Sequence, residues 1–470
     1  MPLIVPANTV SAAGYDVANS CRFDDGDTSY MHKTPGSDGN RQQFTFSCWV
    51  KRGLISSGVH SIINAQHGAS STHGLRFNAD DKLDFHYYAG GYQGRLETTR
   101  LFRDPAAWYN IIAIWDTPNA TANSRMRLII NGVEETAFDT RTNPGSEYNG
   151  QISWSTKVHH IGDENTSNYF DGYIAEAVLI DGSVLAATSF GEFDSDSPTI
   201  WKPIDVSGLT FGTNGFYLDF EASDNLGNDA NGGADFTEVN LAAIDQCTDS
   251  PTNNFAVINP LANRVTDKPA VFSQGNTKIT AANPGAWGCY TSTFGVNKGK
   301  WWMEAKLAVD AANSIIGIIS ENALYSGTDG EGIETYAGDP DHYQGIGYHT
   351  GGNKYPGSGG TASSYGDTYA ADDIMGIALN LDDEEVKFYK NGTVQNSGTA
   401  LSFTTGNEFW FMAVSNYSGD GPDSWEVNFG NPFYTLSSAA NDENGYGSFE
   451  HAPPSGFLAL CTKNLGSDGG

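Results

Sequence analysis

The stretch from Asp372 to Gly392 constrains this chain more than any other. Met375, Ile377, Leu379 and Leu381 alternate with Gly376, Ala378 and Asn380, the period of two expected of a strand with one side in a core. A polar turn over Asp382 to Glu385 follows, and Val386 and Phe388 restart the alternation. Asn391-Gly392 then supplies residues that tolerate positive φ. The pattern predicts a hairpin with a dictated inner face. A matching one ends at Asn131-Gly132, where Met126, Leu128 and Ile130 point one way. The repetition predicts an all-β chain: two β-sandwiches in series.

At 470 residues, either half is long enough to bury its own core. The 55 glycines and 12% aromatic residues suit many short strands joined by glycine turns. A formal charge of −31 argues against nucleic acid as a partner, because phosphate binding needs clustered Lys and Arg. The five cysteines (Cys21, Cys48, Cys247, Cys289, Cys461) lack CxxC spacing and read as buried small hydrophobes. The N-terminus has no basic segment with a long apolar run, and no window reaches about 18 apolar residues. The expectation is a soluble protein made in a cytoplasm, with no membrane insertion.

Residues 1–20 read as an irregular arm. From there the order Phe44 to Lys51, Trp108 to Ala113, Leu128 to Gly132 and Phe170 to Ala177 resembles a laminin-G-type, concanavalin A-like jelly roll, with a domain expected over 21–215. That resemblance implies a lectin or glucanase fold, whose members often bind sugars and carry calcium. Residues 216–268 are rich in turn formers and read as a connector. Within it, Asp229, Asn231 and Asp235 form a loose oxygen-rich loop without the bidentate Glu of a calcium loop, and a solvated linker is the preferred reading. Gly299 to Lys306, Ile315 to Ser320, the opening hairpin and Trp425 to Phe433 resemble a SPRY domain, expected over 269–435 with a tail over 436–470. SPRY domains are sandwiches that bind partners through loops. The domain order, with Pro251 to Leu261 and Pro453 to Leu465, resembles tail-fibre and adhesin-like virion proteins of tailed bacteriophages.

The search for chemistry finds no enzyme. A glucanase of the concanavalin type would place two carboxylates about 5–5.5 Å apart on one strand face, and no Glu-x-Asp-x-Glu strand is present. Asp382 to Glu385 sit in an expected exposed turn. His159 and His160 point to opposite faces of a strand, so they form no zinc pair. Asp24, Asp25 and Asp27 cluster in one turn, with Asp171 ahead of a strand expected to pass nearby. Asp24, Asp27 and Asp171 are therefore metal candidates, with calcium as the metal, and an acidic turn without an ion is the competing reading. Tyr87, Tyr88 and Tyr92 flank Gly90-Gly91, while Tyr343, Tyr348, Tyr355, Tyr365 and Tyr369 lie along a glycine-rich region with little apolar alternation. Exposed tyrosines stack on sugars or proteins at small entropic cost, and edge packing is the other reading. Recognition is expected in the loops of 336–369, not on the sheet faces of the first domain.

These readings make the chain a bacteriophage structural protein on the virion exterior, a tail-fibre or adhesin component. Its expected partners are other virion proteins and a host surface glycan, with self-association into a homo-oligomer as a further expectation. A capsid-decorating or head-fibre protein and a surface-polysaccharide depolymerase are the alternatives.

Overall fold

The computed structural model describes residues 14–66, 71–262, 270–281, 287–310, 313–325, 336–339, 344–357, 359–406, 408–417 and 422–467. The chain divides into two compact units between Thr252 and Asn253.

In the first unit two antiparallel sheets face each other. One is centred on Gln43–Arg52, flanked by Trp108–Asp116 and Gly172–Asp181. The other runs from Phe138–Thr142 through Tyr92–Leu101, Lys82–Ala89, Ser71–Phe77, His60–Gln66, Val158–Ile161 and Tyr30–Lys33 to Thr237–Val239. Phe44, Phe46, Cys48 and Val50 point into the shared core beside Leu83, Phe85, Ile111 and Leu128. The expected alternation is therefore realised.

The segment read as a connector is structural as far as Thr252. Phe216–Leu218 pairs with Gly172–Asp181, Thr237–Val239 with Tyr30–Lys33, and Gln246–Cys247 with Ser20–Phe23. Phe216, Phe220, Leu226 and Phe236 lie in the core. The turn-rich average over this stretch conceals a few widely spaced aromatics, and those decide its burial. The loop Asp229 to Asp235 holds no linker either: Asp229 is buried and ion-paired to Lys33 at 3.2 Å. Residues 263–268 of the expected connector lie outside the described residues, as do 1–13 of the arm. The rest of the arm packs down, with Val17 buried among Trp49, Trp108, Tyr173 and Trp201 on the outer face of the first sheet. Asp249 fastens this covering, accepting from Lys51 Nζ at 2.7 Å and Trp108 Nε1 at 3.0 Å.

The second unit is also a pair of sheets. Lys300–Val309 pairs with Ile374–Asn380 on one side and Ser424–Asn428 on the other. In the facing sheet Asn313–Ser320 lies between Trp410–Tyr417 and Gly345–His349. The opening hairpin is Ile374–Asn380 with Glu385–Lys390, in register Ile377 to Phe388. Met375, Ile377, Leu379, Val386 and Phe388 are all fully buried. Asn391 and Gly392 take φ of 46° and 76°, and Asn131 and Gly132 take 48° and 77°, the positive pair that a tight hairpin turn requires.

The other face of the hairpin's first strand is buried as well. Trp302 lies over Gly376, so closely that a Cβ there would sit 2.3 Å from its Cη2 atom. Ala378, Phe255, Phe449, Ala459 and Cys461 complete the cluster. Gly376 and Ala378 are small to admit an indole, not because they face water. The expected tail is thus a covering layer. Leu458–Ala459 pairs in parallel with Lys300–Val309, and the buried Glu304 carboxylate accepts the amides of Glu450 and His451, each at 2.8 Å. All five cysteines are buried and none forms a disulfide. Among the described residues, no helix is long and apolar enough to cross a membrane.

Two substitutions on adjacent residues test both faces. Ile377→Ala should cost about 2–5 kcal/mol through lost burial and a residual cavity. Gly376→Ala, which in an open strand would stabilise by restricting the unfolded chain, should here cost about 1–3 kcal/mol through overpacking against Trp302. Denaturant unfolding measures both; a stabilised Gly376→Ala protein contradicts the buried outer face.

Candidate functional site

Strand pairing brings the acidic candidates together. Ser20–Phe23 runs antiparallel to Gly172–Asp181 with Phe23 opposite Gly172, so the turn after Phe23 and the residue before Gly172 meet at the same end of the sheet. One oxygen from each of Asp24, Asp25 and Asp171 lies within 4.8 Å of the others. Asp25 takes the place expected of Asp27, which turns its backbone instead: its N–H donates to Asp24 Oδ1 at 3.1 Å. Sequence could not separate these neighbours, because turn geometry decides which side chain faces inward.

Asp171 is buried. Its Oδ1 accepts from Leu54 N at 3.0 Å, and its Oδ2 has no hydrogen-bond partner. A Cβ on Gly53 would lie 1.8 Å from Oδ1, so only glycine there lets the carboxylate tuck in. Burial first, then the Asp24 and Asp25 charges, hold the Asp171 carboxyl well above the usual range, and burial and Asp24 raise Asp25. Hard oxygens, like-charge crowding and a buried oxygen without a donor fit calcium, which would supply the missing positive charge.

The tyrosines separate into core and surface. Tyr348, Tyr365 and Tyr369 are buried, against the expectation of loops shaped for contact. Tyr348 packs on Tyr365, Tyr369 and Phe388 at centroid distances of 5.1, 5.3 and 5.6 Å. Its hydroxyl donates to Asp367 O, and that of Tyr369 lies 2.7 Å from Tyr348 O. Where a stretch lacks aliphatic side chains, tyrosine fills the core if its hydroxyl finds a carbonyl, which is why a region poor in alternation still builds one. Tyr355 stays partly exposed, on Tyr336 and His349. Tyr343 lies outside the described residues. In the first unit Tyr87 is buried against His73 and Trp115. Tyr88 points the other way, half-buried, and meets Tyr92 edge-on at 5.3 Å. Tyr92 is 39% exposed and lies over the Arg95 guanidinium at 4.5 Å.

Beneath this pair lies an ionic network that the sequence search missed. Asp84 is buried and accepts from Arg95 Nε at 2.8 Å, with Arg76 Nη2 at 3.2 Å. Arg76 reaches Glu164 at 3.0 Å, and Arg95 reaches Glu97 at 2.8 Å. Asp84 and Glu97 are directly opposed across two strands. The His86 ring is buried beside them, and burial with Arg76 pushes its pKa down to about 3, leaving it neutral near pH 7. Each carboxylate is held by arginine, which suits a rigid polar floor better than proton transfer. The alternation Asp84, His86, Tyr88 against Arg95, Glu97 was the legible signal; a search for acidic alternation alone passes over it.

The acidic cluster sets a pH dependence. Both states hold the Asp171 proton below about pH 4; as pH rises the unfolded chain ionises first, so its contribution to stability is full in acid and is lost as pH climbs through the raised folded pKa. In metal-free buffer the first unit's melting temperature should fall over that range. Asp171→Asn should remove this slope, and calcium should raise the wild-type midpoint at pH 7 but not that of Asp171→Asn. An equal calcium response in both proteins contradicts the site.

Residues 24–188 match the family described as the concanavalin A-like lectin/glucanases superfamily (Laminin_G_3), and residues 306–432 match the SPRY domain family. No functionally curated protein matches the chain. Among solved structures, the SPRY domain of human HERC1 is similar at 15% identity, covering 36% of this chain and 96% of that one with a TM-score of 0.27. A second human SPRY domain matches at 16% identity, over 36% and 97%, with a TM-score of 0.25. A putative carbohydrate binding protein from Bacteroides ovatus matches at 14% identity, over 48% and 58%, with a TM-score of 0.34. The chain therefore carries a laminin-G, concanavalin A-like domain followed by a SPRY domain.

Proposed function

We propose that this chain is a non-catalytic structural protein of a tailed-bacteriophage virion, a tail-fibre or adhesin component on the particle exterior, and that its first unit holds host surface glycan. The observation that carries the glycan reading is the Tyr88 and Tyr92 pair. It combines an exposed aromatic face with a fixed base, because Arg95 is clamped between Tyr92 and the Asp84 and Glu97 carboxylates. A pre-ordered ring stacks on the C–H face of a sugar at little entropic cost. This moves recognition from the loops of 336–369 to a sheet face of the first unit, since Tyr348, Tyr365 and Tyr369 are committed to the core. The virion assignment rests on the resemblance of the domain order and of Pro453 to Leu465 to tail-fibre proteins. An acidic surface is compatible with it, being screened in saline surroundings.

Tyr88→Ala with Tyr92→Ala should leave folding intact, as surface substitutions usually do. Binding to host surface extract should fall at least tenfold, the equivalent of about 1.4 kcal/mol. Unchanged binding by the folded double variant overturns the glycan site. Normal adsorption by particles lacking the protein favours a decorating role, and release of reducing ends from host polysaccharide favours a depolymerase.

A further inference from the structure

Among the described residues, Lys51 and Asp249 form the most completely buried ion pair made by a lysine, with side chains 1% and 0% exposed. Lys33 and Lys202 keep 15% and 8% exposure in theirs. Arg22 and Arg52 are buried too, but a guanidinium keeps its charge and offers no nucleophile.

Strand register makes this place. Lys51 lies directly opposite Trp108 on one neighbouring strand and Tyr173 on the other. Its Nζ is 5.7 Å from the centroid of the Tyr173 ring. Both aromatics belong to the buried outer cluster with Val17, Trp49 and Trp201. Asp249 is held at three points. Its Oδ2 accepts from Lys51 Nζ at 2.7 Å, its Oδ1 from Trp108 Nε1 at 3.0 Å, and its backbone carbonyl from Ser20 Oγ at 2.6 Å.

Surroundings of this kind work against both charges. Burial pushes the Lys51 ammonium down, with the Asp249 carboxylate opposing it. A proton passed from Nζ to Oδ2 along their short contact leaves a neutral amine beside a neutral carboxyl, and a desolvated lysine amine is a nucleophile. Attack on the carboxyl carbon gathers negative charge on Oδ1. The Trp108 N–H already donates to that oxygen, which is where an oxyanion donor belongs.

We propose that Lys51 and Asp249 condense into an intramolecular isopeptide bond. The Nζ–Cγ bond forms, the Cγ–Oδ2 bond breaks, and Oδ2 leaves as water with two of the three ammonium protons. The third stays on the amide nitrogen. No oxidant, reductant or cofactor takes part. A neutral amide replaces two buried charges, so the cost of desolvating them disappears. The bond joins residues 198 apart in sequence, and closing so long a loop restricts the unfolded chain. It ends just inside the division between Thr252 and Asn253. Tension on the chain at that point passes through a covalent bond to the strand Gln43–Arg52, and not through the short pairing of Gln246–Cys247 with Ser20–Phe23 alone.

Mass spectrometry of the full chain tests the bond. Folded wild-type protein should be lighter than its sequence mass by one water, and digestion should release a branched peptide joining Lys51 to Asp249. Asp249→Asn should lose one ammonia instead and reach the same final mass as the wild type, because the leaving group belongs to residue 249. Lys51→Arg keeps the charge without a condensing amine and should retain its full sequence mass. Wild-type protein that stays at full sequence mass after folding and prolonged incubation overturns the proposal, and this measurement needs no variant to fold. Loss of a water with Lys51 and Asp249 recovered on separate peptides overturns it as well.

Discussion

A sheet with large apolar side chains on both faces cannot serve as one wall of a simple two-layer sandwich, because one of its faces would meet water. Both units obey this constraint. In the first, Trp49, Trp108 and Tyr173 stand on the side away from the core, and in the second Trp302 does. Each needs a third layer, and chain with little regular structure provides it. Val17, Trp201 and Asp249 cover the first unit; Phe255, Phe449 and Cys461 cover the second. Stretches whose composition suggests an arm, a linker and a tail are structural for this reason.

The hairpins were legible because alternation fixed the inward side of their strands, and Asn-Gly marked the tight turns at 391–392 and 131–132 that follow. The all-β class followed from the same short-range patterns, and the order of the two domains from the resemblance of their motifs to two known families. What stayed hidden depends on contacts distant in sequence. The burial of Phe216 and Phe236 is set by the strands they meet, not by the glycine and asparagine around them. The tyrosines misled for a related reason: one amphipathic side chain serves equally at a surface or in a core that offers a carbonyl, and Tyr348 has the second environment. The acidic turn was legible as a cluster, while the choice of Asp25 over Asp27 is a matter of a few dihedral angles.

Charge is distributed in keeping with this layering. The chain has 25 cationic residues against 56 acidic ones, and several of the cations are drawn inward. Lys51, Arg52 and Arg22 are almost fully buried, paired with Asp249, Asp81 and Asp245. Buried pairs add little net stability over apolar neighbours, yet losing one partner strands a charge. Their effect here is positional, since Lys51 ties residue 249 to a central strand. The surface that remains is strongly acidic, which disfavours polyanionic ligands and leaves recognition to stacking and neutral hydrogen bonds.

The parallel pairing of Leu458–Ala459 with Lys300–Val309 has a consequence for biosynthesis. On the ribosome, the hairpin of Ile374–Asn380 and Glu385–Lys390 emerges and docks on Lys300–Val309 long before residues 449–461 are made. Throughout that interval Trp302 and Ala378 lack Phe449, Ala459 and Cys461, so the nascent domain presents an uncovered apolar surface beside a strand edge. Such a species is exposed to association with its neighbours on a polysome. Residues 449–461 therefore close over a face that the two sheets of this unit cannot cover by themselves.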